Sequence, residues 1–243
     1  MKQYGLIGYP LGHSFSKKYF TEKFQREGIT DRAYETYPLA SIRELSALLE
    51  AHPDLCGLNV TIPYKEEVMG FLHSQSDVVK QVGACNCIKI VGGKLEGHNT
   101  DVIGFRRSLE QSFPKLPTKA LILGTGGAAK AVAWVLQQLN IEFRYVSRKQ
   151  GAYSFSYQQL TPAIIAEYGL IINTTPLGMA PQIVQAPPIP YEALTPQHCL
   201  FDLIYNPAET LFMQKGKERG ASVQNGADML VIQAEESWTI WNS

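Results

Sequence analysis

Hydrophobic and polar positions along this chain fall into short alternating blocks. Tyr4-Gly5-Leu6-Ile7-Gly8 reads as a strand, and residues 17–27 as an amphipathic helix stopped by Gly28. Residues 33–37 predict a second strand. Residues 41–51 predict a helix with Ser41 as its cap, Glu44 completing a capping box, and Leu45, Leu48 and Leu49 on one face. Residues 55–61 read as a third strand, broken at Pro63, and residues 83–91 with 94–97 as a hairpin turning at Gly92-Gly93. The first hundred residues therefore predict an α/β domain.

A helix over residues 102–113, ended by Pro114 and Pro117, leads into a second α/β region. There Leu121-Ile122-Leu123 runs into Gly124-Thr125-Gly126-Gly127-Ala128-Ala129, and residues 130–136 continue as a helix. Phe143-Arg144-Tyr145-Val146 is a second strand. Residues 170–173 and 199–203 are continuous apolar runs of the kind found in buried parallel strands, separated by a proline-rich loop over 181–196. Residues 229–241 carry helical apolar spacing. The pattern predicts two domains: residues 1–101, completed by a C-terminal helix within 229–243, and a nucleotide-binding domain over 102–228.

The glycine turn carries the first chemical signal. Strand, tight turn and helix in that order aim backbone N–H groups at a pyrophosphate, and Ala129 can replace the third fingerprint glycine because that position needs only close helix packing. An NAD site would end the next strand in Asp or Glu; here it ends in Ser147-Arg148-Lys149, which suits a 2′-phosphate and predicts NADP.

Composition narrows the function classes. With 243 residues, 45% hydrophobic and 18% charged, the chain can bury two cores, and 22 basic against 22 acidic side chains leave no field favouring nucleic acid or an anionic membrane. The N-terminal stretch lacks a signal-peptide apolar region and no run is long enough to span a bilayer, so a soluble, cytoplasmic protein is expected, as monomer or homodimer. Four cysteines (56, 85, 87 and 199) read as reduced thiols; Cys85 and Cys87 would share one strand face. Five scattered histidines (13, 52, 73, 98 and 198) read as surface or helix-end residues, and no metal site is expected.

Three polar clusters remain in the first domain. In Gly12-His13-Ser14-Phe15-Ser16, helix capping accounts for one serine but not both. Asn59-Val60-Thr61-Ile62-Pro63-Tyr64-Lys65-Glu66-Glu67 lies at the carboxyl end of a strand, where α/β sheets place ligands, though on spacing alone a lysine beside two glutamates reads by default as a solvated surface charge. Asn99-Thr100-Asp101 is either a site or a helix cap.

These blocks, with Gly83-Ala84-Cys85-Asn86, the glycine turn, Asn173-Thr174-Thr175-Pro176-Leu177-Gly178-Met179, Asp202-Leu203-Ile204-Tyr205-Asn206-Pro207 and Met229-Leu230-Val231-Ile232-Gln233, run in the order seen in shikimate dehydrogenases, which the chain resembles over its whole length. The resemblance implies reversible, NADP-linked reduction of 3-dehydroshikimate to shikimate in aromatic (chorismate) biosynthesis, in an expected cleft between an N-terminal α/β substrate domain and a Rossmann-type NADP-binding domain. It implies a catalytic pair, Lys65 and Asp101, in which lysine handles the proton of the reacting hydroxyl and aspartate holds it. Ser14 and Ser16 match residues that bind the substrate carboxylate; Asn59, Thr61, Asn86, Tyr205 and Gln233 match others of the substrate pocket. Gly124, Gly126, Gly127 and Ala128 match the pyrophosphate turn, Ser147, Arg148 and Lys149 the 2′-phosphate segment, Thr174, Leu203 and Asp228 the nicotinamide end, and Asp77 a further nucleotide contact.

Three positions depart from the family's pattern. Asp228 stands where a glycine is usual, in Gly226-Ala227-Asp228-Met229-Leu230; Cys87 follows Asn86 where threonine is usual; and the chain stops at Ser243, before the usual last helices. Two other readings are open: a quinate/shikimate dehydrogenase using NAD, against which Arg148 argues, and a non-catalytic metabolite- or nucleotide-binding homologue, against which the presence of Lys65 and Asp101 argues.

Overall fold

The computed structural model describes residues 1–12, 15–148, 151 and 154–243. The chain forms two compact units, Met1–Asp101 with Gln233–Ser243, and Val102–Ile232. In the first unit the order is β1 (Lys2–Gly8), α1 (Phe15–Arg26), β2 (Arg32–Pro38), α2 (Leu45–Ala51), β3 (Leu55–Val60), β4 (Ser74–Gln75), α3 (Asp77–Val82), β5 (Cys87–Val91) and β6 (Lys94–His98). The strands form one sheet in the order β2-β1-β3-β5-β6-β4. β1 is parallel to β2 and β3, while β5 is antiparallel to β3 and β6.

Both faces of this sheet are covered. Ile7, Leu58, Ile88, Leu45 and Val79 form one core, and Tyr4, Phe20, Phe24, Tyr34 and Trp241 the other. Trp241 comes from the last helix and donates its Nε1–H to the Ile88 carbonyl at 2.9 Å. That docking requires a glycine beneath it, since a Cβ at Gly57 would sit 2.3 Å from Trp241 Nε1.

Local chemistry departs from the sequence expectation in three places. Ser41 caps a 3₁₀ turn, Ile42–Glu44, by accepting from the Arg43 N–H, and the Glu44 carboxylate reaches back to the Ala40 N–H, so the expected capping box does not close. Residues 83–86 are not strand: Gly83, at φ 70°, ends α3 in the left-handed conformation, and β5 starts only at Cys87. Cys85 therefore precedes the strand that holds Cys87, and its thiol donates to the Cys87 carbonyl.

In the second unit the order is α4 (Asp101–Ser112), β7 (Lys119–Leu123), α5 (Gly127–Gln138), β8 (Glu142–Ser147), β9 (Ser154–Ser156), α6 (Pro162–Glu167), β10 (Leu170–Asn173), β11 (Cys199–Asp202), α7 (Leu211–Lys217), β12 (Ser222–Gln224) and α8 (Ala227–Asn242). The unit boundaries fall at the start of α4 and within α8. All six strands are parallel, in the order β12-β11-β10-β7-β8-β9. This is the doubly wound arrangement, and the order reverses between β7 and β10, the point at which such sheets take ligands at their carboxyl ends. Leu121, Ile171, Leu200 and Phe212 lie in its core. His198, expected at the surface, is 4% exposed: its ring bonds the Ile165 carbonyl through Nε2 and Thr195 through Nδ1, so it ties α6 to the start of β11.

At the carboxyl end of β11, Asp202 is fully buried. It accepts from Asn173 Nδ2 at 3.0 Å, from the Ile204 N–H at 3.0 Å and from Thr210 Oγ1 at 2.6 Å. All three donors are neutral, and burial outweighs them, pushing the carboxyl from 3.8 up to about 6. Between those values the folded chain holds a proton that the unfolded chain has released, so this contribution to stability is present below about pH 4 and is lost as pH rises through about 6. Asp202→Asn keeps the shape without the titration. Denaturant unfolding at pH 4 and pH 7 should show wild type losing roughly 2–3 kcal/mol relative to the variant over that interval. A pH-independent difference would contradict the assignment.

Candidate active site

The first unit brings a lysine and an aspartate together from residues 36 apart in sequence. Lys65 lies in the turn after β3. The Tyr64 N–H closes that turn on the Thr61 carbonyl at 3.0 Å, Tyr64 Oη anchors it to the Leu39 carbonyl at 2.6 Å, and the Lys65 carbonyl accepts from the Cys85 N–H at 2.7 Å. Asp101 is the first residue of α4, where the helix field favours a negative charge. Lys65 Nζ lies 2.7 Å from Asp101 Oδ2, with the side chains 19% and 8% exposed. A pair this dry is held by what surrounds it.

Asn86 supplies the second support. Its Nδ2 donates to Asp101 Oδ1 at 2.9 Å and to Thr100 Oγ1 at 3.0 Å, while its Oδ1 accepts from the Thr100 N–H at 2.6 Å. Both carboxylate oxygens are thus engaged, and the lysine keeps one fixed partner. Asn59 is drawn into the same framework: its Oδ1 accepts from Tyr34 Oη at 2.8 Å, and its Nδ2 reaches the Asn86 carbonyl at 3.3 Å and Ser237 Oγ at 3.0 Å. Gln233, 7% exposed, accepts from Thr100 Oγ1 through Oε1 at 3.4 Å.

Ser16 is the second residue of α1, and its hydroxyl bonds that of Tyr34, whose pKa burial pushes upward. Thr61 follows β3 directly; its N–H donates to the Ile7 carbonyl at 2.9 Å, and its methyl packs where a Cβ at Gly8 would lie only 2.4 Å away. Ser14 lies outside the described residues. Asp77 opens α3 with its side chain 88% exposed and paired with Lys80 at 3.1 Å, so it belongs to the first unit rather than to the glycine-turn unit.

In the second unit the turn after β7 depends on glycine for two different reasons. Gly124 has φ 111°, and a Cβ there would lie 2.6 Å from Thr174 Oγ1; no other residue fits. Gly126, in an extended conformation at the start of α5, has nothing within 4 Å of the Cβ it lacks. The space in front of that helix end is open, as a pyrophosphate approaching the backbone requires. Gly127 and Ala128 begin α5, directing N–H groups into the same space. Ser147 ends β8 and Arg148 follows it, exposed; Lys149 lies outside the described residues.

Neighbouring strand ends complete this side. Thr174 spends its N–H and its hydroxyl on the Leu123 carbonyl, at 3.0 and 2.7 Å, which fixes β10 to the glycine turn. Leu203 continues from β11 and donates its N–H to the Asn173 carbonyl at 3.0 Å. Tyr205, two residues on, is half-buried, which raises its pKa and keeps it a neutral donor. Gly226 is required because a Cβ would lie 2.2 Å from the Leu203 carbonyl oxygen. Asp228, in the first turn of α8, is exposed, and its carboxylate accepts from Gln224 Nε2 at 3.3 Å.

Three residues with no separate role in the sequence reading prove central to the first unit: Tyr34, Thr100 and Ser237. Ser237 had a visible signal, since it lies four residues after Gln233 on a helix whose buried positions Ala234 and Trp241 are otherwise apolar. Among the described residues, no cluster of His, Cys, Asp and Glu could hold a metal ion, and no helix is long and apolar enough to cross a membrane.

Residues 6–88 match the family described as the shikimate dehydrogenase substrate binding domain. The chain is 36% identical to the NADP(+) shikimate dehydrogenase of Halothermothrix orenii over 98% of its own length and 89% of that enzyme's. Its fold matches the crystal structure of shikimate 5-dehydrogenase from Thermus thermophilus in complex with NADP(H) and shikimate with a TM-score of 0.84 at 28% identity, covering 99% of this chain and 93% of the other. It also matches the quinate dehydrogenase of Corynebacterium glutamicum in complex with NAD, with a TM-score of 0.88 at 26% identity, covering 99% and 93%. From the near-complete coverage at this level of identity, the chain belongs to the shikimate dehydrogenase family.

Proposed function

We propose that the chain catalyses the reversible, NADP-dependent reduction of 3-dehydroshikimate to shikimate, with Lys65 and Asp101 as the proton-handling pair. The observation that carries this reading is the 2.7 Å contact between Lys65 Nζ and Asp101 Oδ2, with Asn86 on the other carboxylate oxygen. The β7–α5 turn would hold NADP(H), which when bound would supply or accept the hydride. As the ring ketone gains that hydride its oxygen gathers negative charge, and a proton must arrive there. Lys65 Nζ donates it; in the reverse direction the same nitrogen takes the proton of the reacting hydroxyl. Asp101 remains the anchor that keeps the amine aimed, and Asn86 keeps the carboxylate from rotating away.

Ser14 and Ser16 are assigned to the substrate carboxylate, and Thr61, Asn86, Tyr205 and Gln233 to its hydroxyls, since a small polyol is best selected by pairing each of its polar groups. Asn59 belongs to the same set: it and Asn86 both spend their amide N–H groups inside the unit, Asn59 on Asn86 and Ser237 and Asn86 on Asp101 and Thr100, so each would meet the substrate as an acceptor through Oδ1. Gly124, Gly126, Gly127 and Ala128 are assigned to the pyrophosphate, Ser147, Arg148 and Lys149 to the 2′-phosphate, Thr174, Leu203 and Asp228 to the nicotinamide end, and Asp77 to a further nucleotide contact. The likeness to an NAD-bound quinate dehydrogenase favours a second reading, quinate oxidation with NAD. The basic end of β8 favours NADP instead.

Initial rates with 3-dehydroshikimate or 3-dehydroquinate, each with NADPH or NADH, test the reading in wild type and Arg148→Ala. Wild type should be fastest with 3-dehydroshikimate and NADPH. Arg148→Ala should raise KM for NADPH about 10- to 100-fold and leave NADH nearly unaffected, because a charged hydrogen bond to phosphate contributes ~1.5–3 kcal/mol and NADH has no phosphate there. Equal loss with both cofactors would remove Arg148 from the recognition of phosphate.

The two glycines separate fold from cofactor. Gly126→Ala should change unfolding free energy by less than about 1 kcal/mol yet weaken NADPH binding at least about tenfold, while Gly124→Ala should destabilise the fold itself. Urea unfolding beside NADPH fluorescence titration distinguishes them; unchanged NADPH affinity in Gly126→Ala would place the pyrophosphate elsewhere.

A further inference from the structure

Asn173 ends β10 and is fully buried. A side-chain amide offers two acceptor sites and two donors, and here all four are used. Oδ1 accepts from the Thr175 N–H at 3.0 Å and from Thr175 Oγ1 at 2.7 Å, while Nδ2 donates to Asp202 Oδ1 at 3.0 Å and to the Leu177 carbonyl at 3.4 Å. Thr175 Oγ1 accepts in turn from the Leu177 N–H at 3.3 Å, and the Asn173 main-chain carbonyl takes the Leu203 N–H at 3.0 Å. One residue thereby folds residues 174–177 into a turn and fastens that turn to the exit of β11. The turn lies beside the glycine turn: Thr174 bonds the Leu123 carbonyl, and a Cβ at Gly124 would meet Thr174 Oγ1 at 2.6 Å and the Thr175 methyl at 3.2 Å. Since the strand order reverses between β7 and β10, residues 174–177 wall the crevice in which such a sheet takes a dinucleotide.

From this saturated amide we infer that Asn173 is a positioning residue for the dinucleotide: it holds the 174–177 turn preformed against the exit of β11, so that the cofactor meets a wall already in place. The inference rests on the reading above that NADP(H) lies along this edge with its nicotinamide end at Thr174 and Leu203. Asn173 has no exposed surface and acts through the turn rather than by contact. Without its amide the Thr175 N–H and hydroxyl lose their acceptor, and the turn samples open forms that binding must reorder, which lowers affinity without removing any contact to the cofactor. Replacement by aspartate is diagnostic. Its second oxygen would stand where Nδ2 now lies, 3.0 Å from Asp202 Oδ1, and two carboxyls that close hold together only while one proton is shared between them. The other groups facing Asp202 are uncharged: the Ile204 N–H, Thr210 Oγ1 and the Tyr191 hydroxyl, which burial keeps protonated; Lys215 lies on the Tyr191 ring, 4.7 Å from its centroid.

The test uses the whole chain as wild type, Asn173→Ala, Asn173→Asp and Thr175→Val, the last of which keeps the methyl beside Gly124. Each is followed by amide hydrogen exchange without ligand, thermal melting and equilibrium fluorescence titration with NADPH. Asn173→Ala should weaken NADPH about 5- to 30-fold and speed exchange at the Thr175 and Leu177 amides, while the melt stays cooperative. Thr175→Val should weaken NADPH about 3- to 10-fold. In Asn173→Asp the NADPH affinity relative to wild type should fall as pH rises from about 5 to 8 and the shared proton is lost; taking the ratio cancels the titration of the cofactor's own phosphate. Wild-type NADPH affinity in a folded Asn173→Ala, with or without faster exchange, would overturn the inference. If that variant does not fold, an unweakened Thr175→Val or a pH-independent ratio in Asn173→Asp overturns it. A wild type that does not bind NADPH, or a Gly126→Ala variant that binds it normally, would instead overturn the functional reading on which it stands.

Discussion

A lysine and an aspartate held at 2.7 Å in a mostly buried setting are the constraint around which the first unit is built. Removing water strengthens the attraction between them, but it also makes each charge expensive to leave alone, by roughly 3–5 kcal/mol when a partner is lost from such a pair. The surrounding structure answers that demand. Tyr64 pins the turn that carries Lys65 to the Leu39 carbonyl, the start of α4 receives Asp101, and Asn86 takes the second carboxylate oxygen. Behind Asn86 stand Thr100, Ser237 and Asn59, three buried residues whose hydrogen bonds join β3, the turn before α4 and α8. The lysine is therefore held against one fixed carboxylate oxygen.

The second unit solves a different problem, and solves it with backbone. The carboxyl edge of its sheet is set by close approaches that exclude side chains: Gly124 against Thr174 and Gly226 against the Leu203 carbonyl. At Gly126 the absence of a side chain instead leaves open space before a helix end. Asp202 lies beneath this edge, where it holds Asn173, Ile204 and Thr210 together, so that the strand ends of β10 and β11 keep their relation. A buried carboxylate with neutral donors is a costly way to fasten a loop, and it leaves a titration near pH 6 in the fold.

Much of this was legible in the sequence because the signals are local. The glycine turn between an apolar strand and an alanine-rich helix, the run over 170–173 and the Gly92-Gly93 hairpin depend on neighbours only. What local reading misassigned was decided by contacts distant in sequence. Residues 83–86 look extended, but Gly83 ends a short helix and the Cys85 N–H is taken by the Lys65 carbonyl. His198 looks polar, yet it closes two hydrogen bonds in the core. Ser237 and Tyr34 carry no motif; only the folded sheet brings them to Asn59. Lys65 and Asp101 were nameable from the family resemblance alone, since neither spacing nor composition distinguishes a catalytic lysine from a solvated one.

The central claim is that Lys65 moves the proton rather than merely holding substrate. Single-turnover oxidation of NADPH by saturating 3-dehydroshikimate in Lys65→Ala, with shikimate affinity measured at equilibrium on the same preparation, separates the two. The account predicts a turnover rate lower by about 10²–10⁴-fold with affinity changed far less. A wild-type rate at saturation, with the whole loss in affinity, would contradict it.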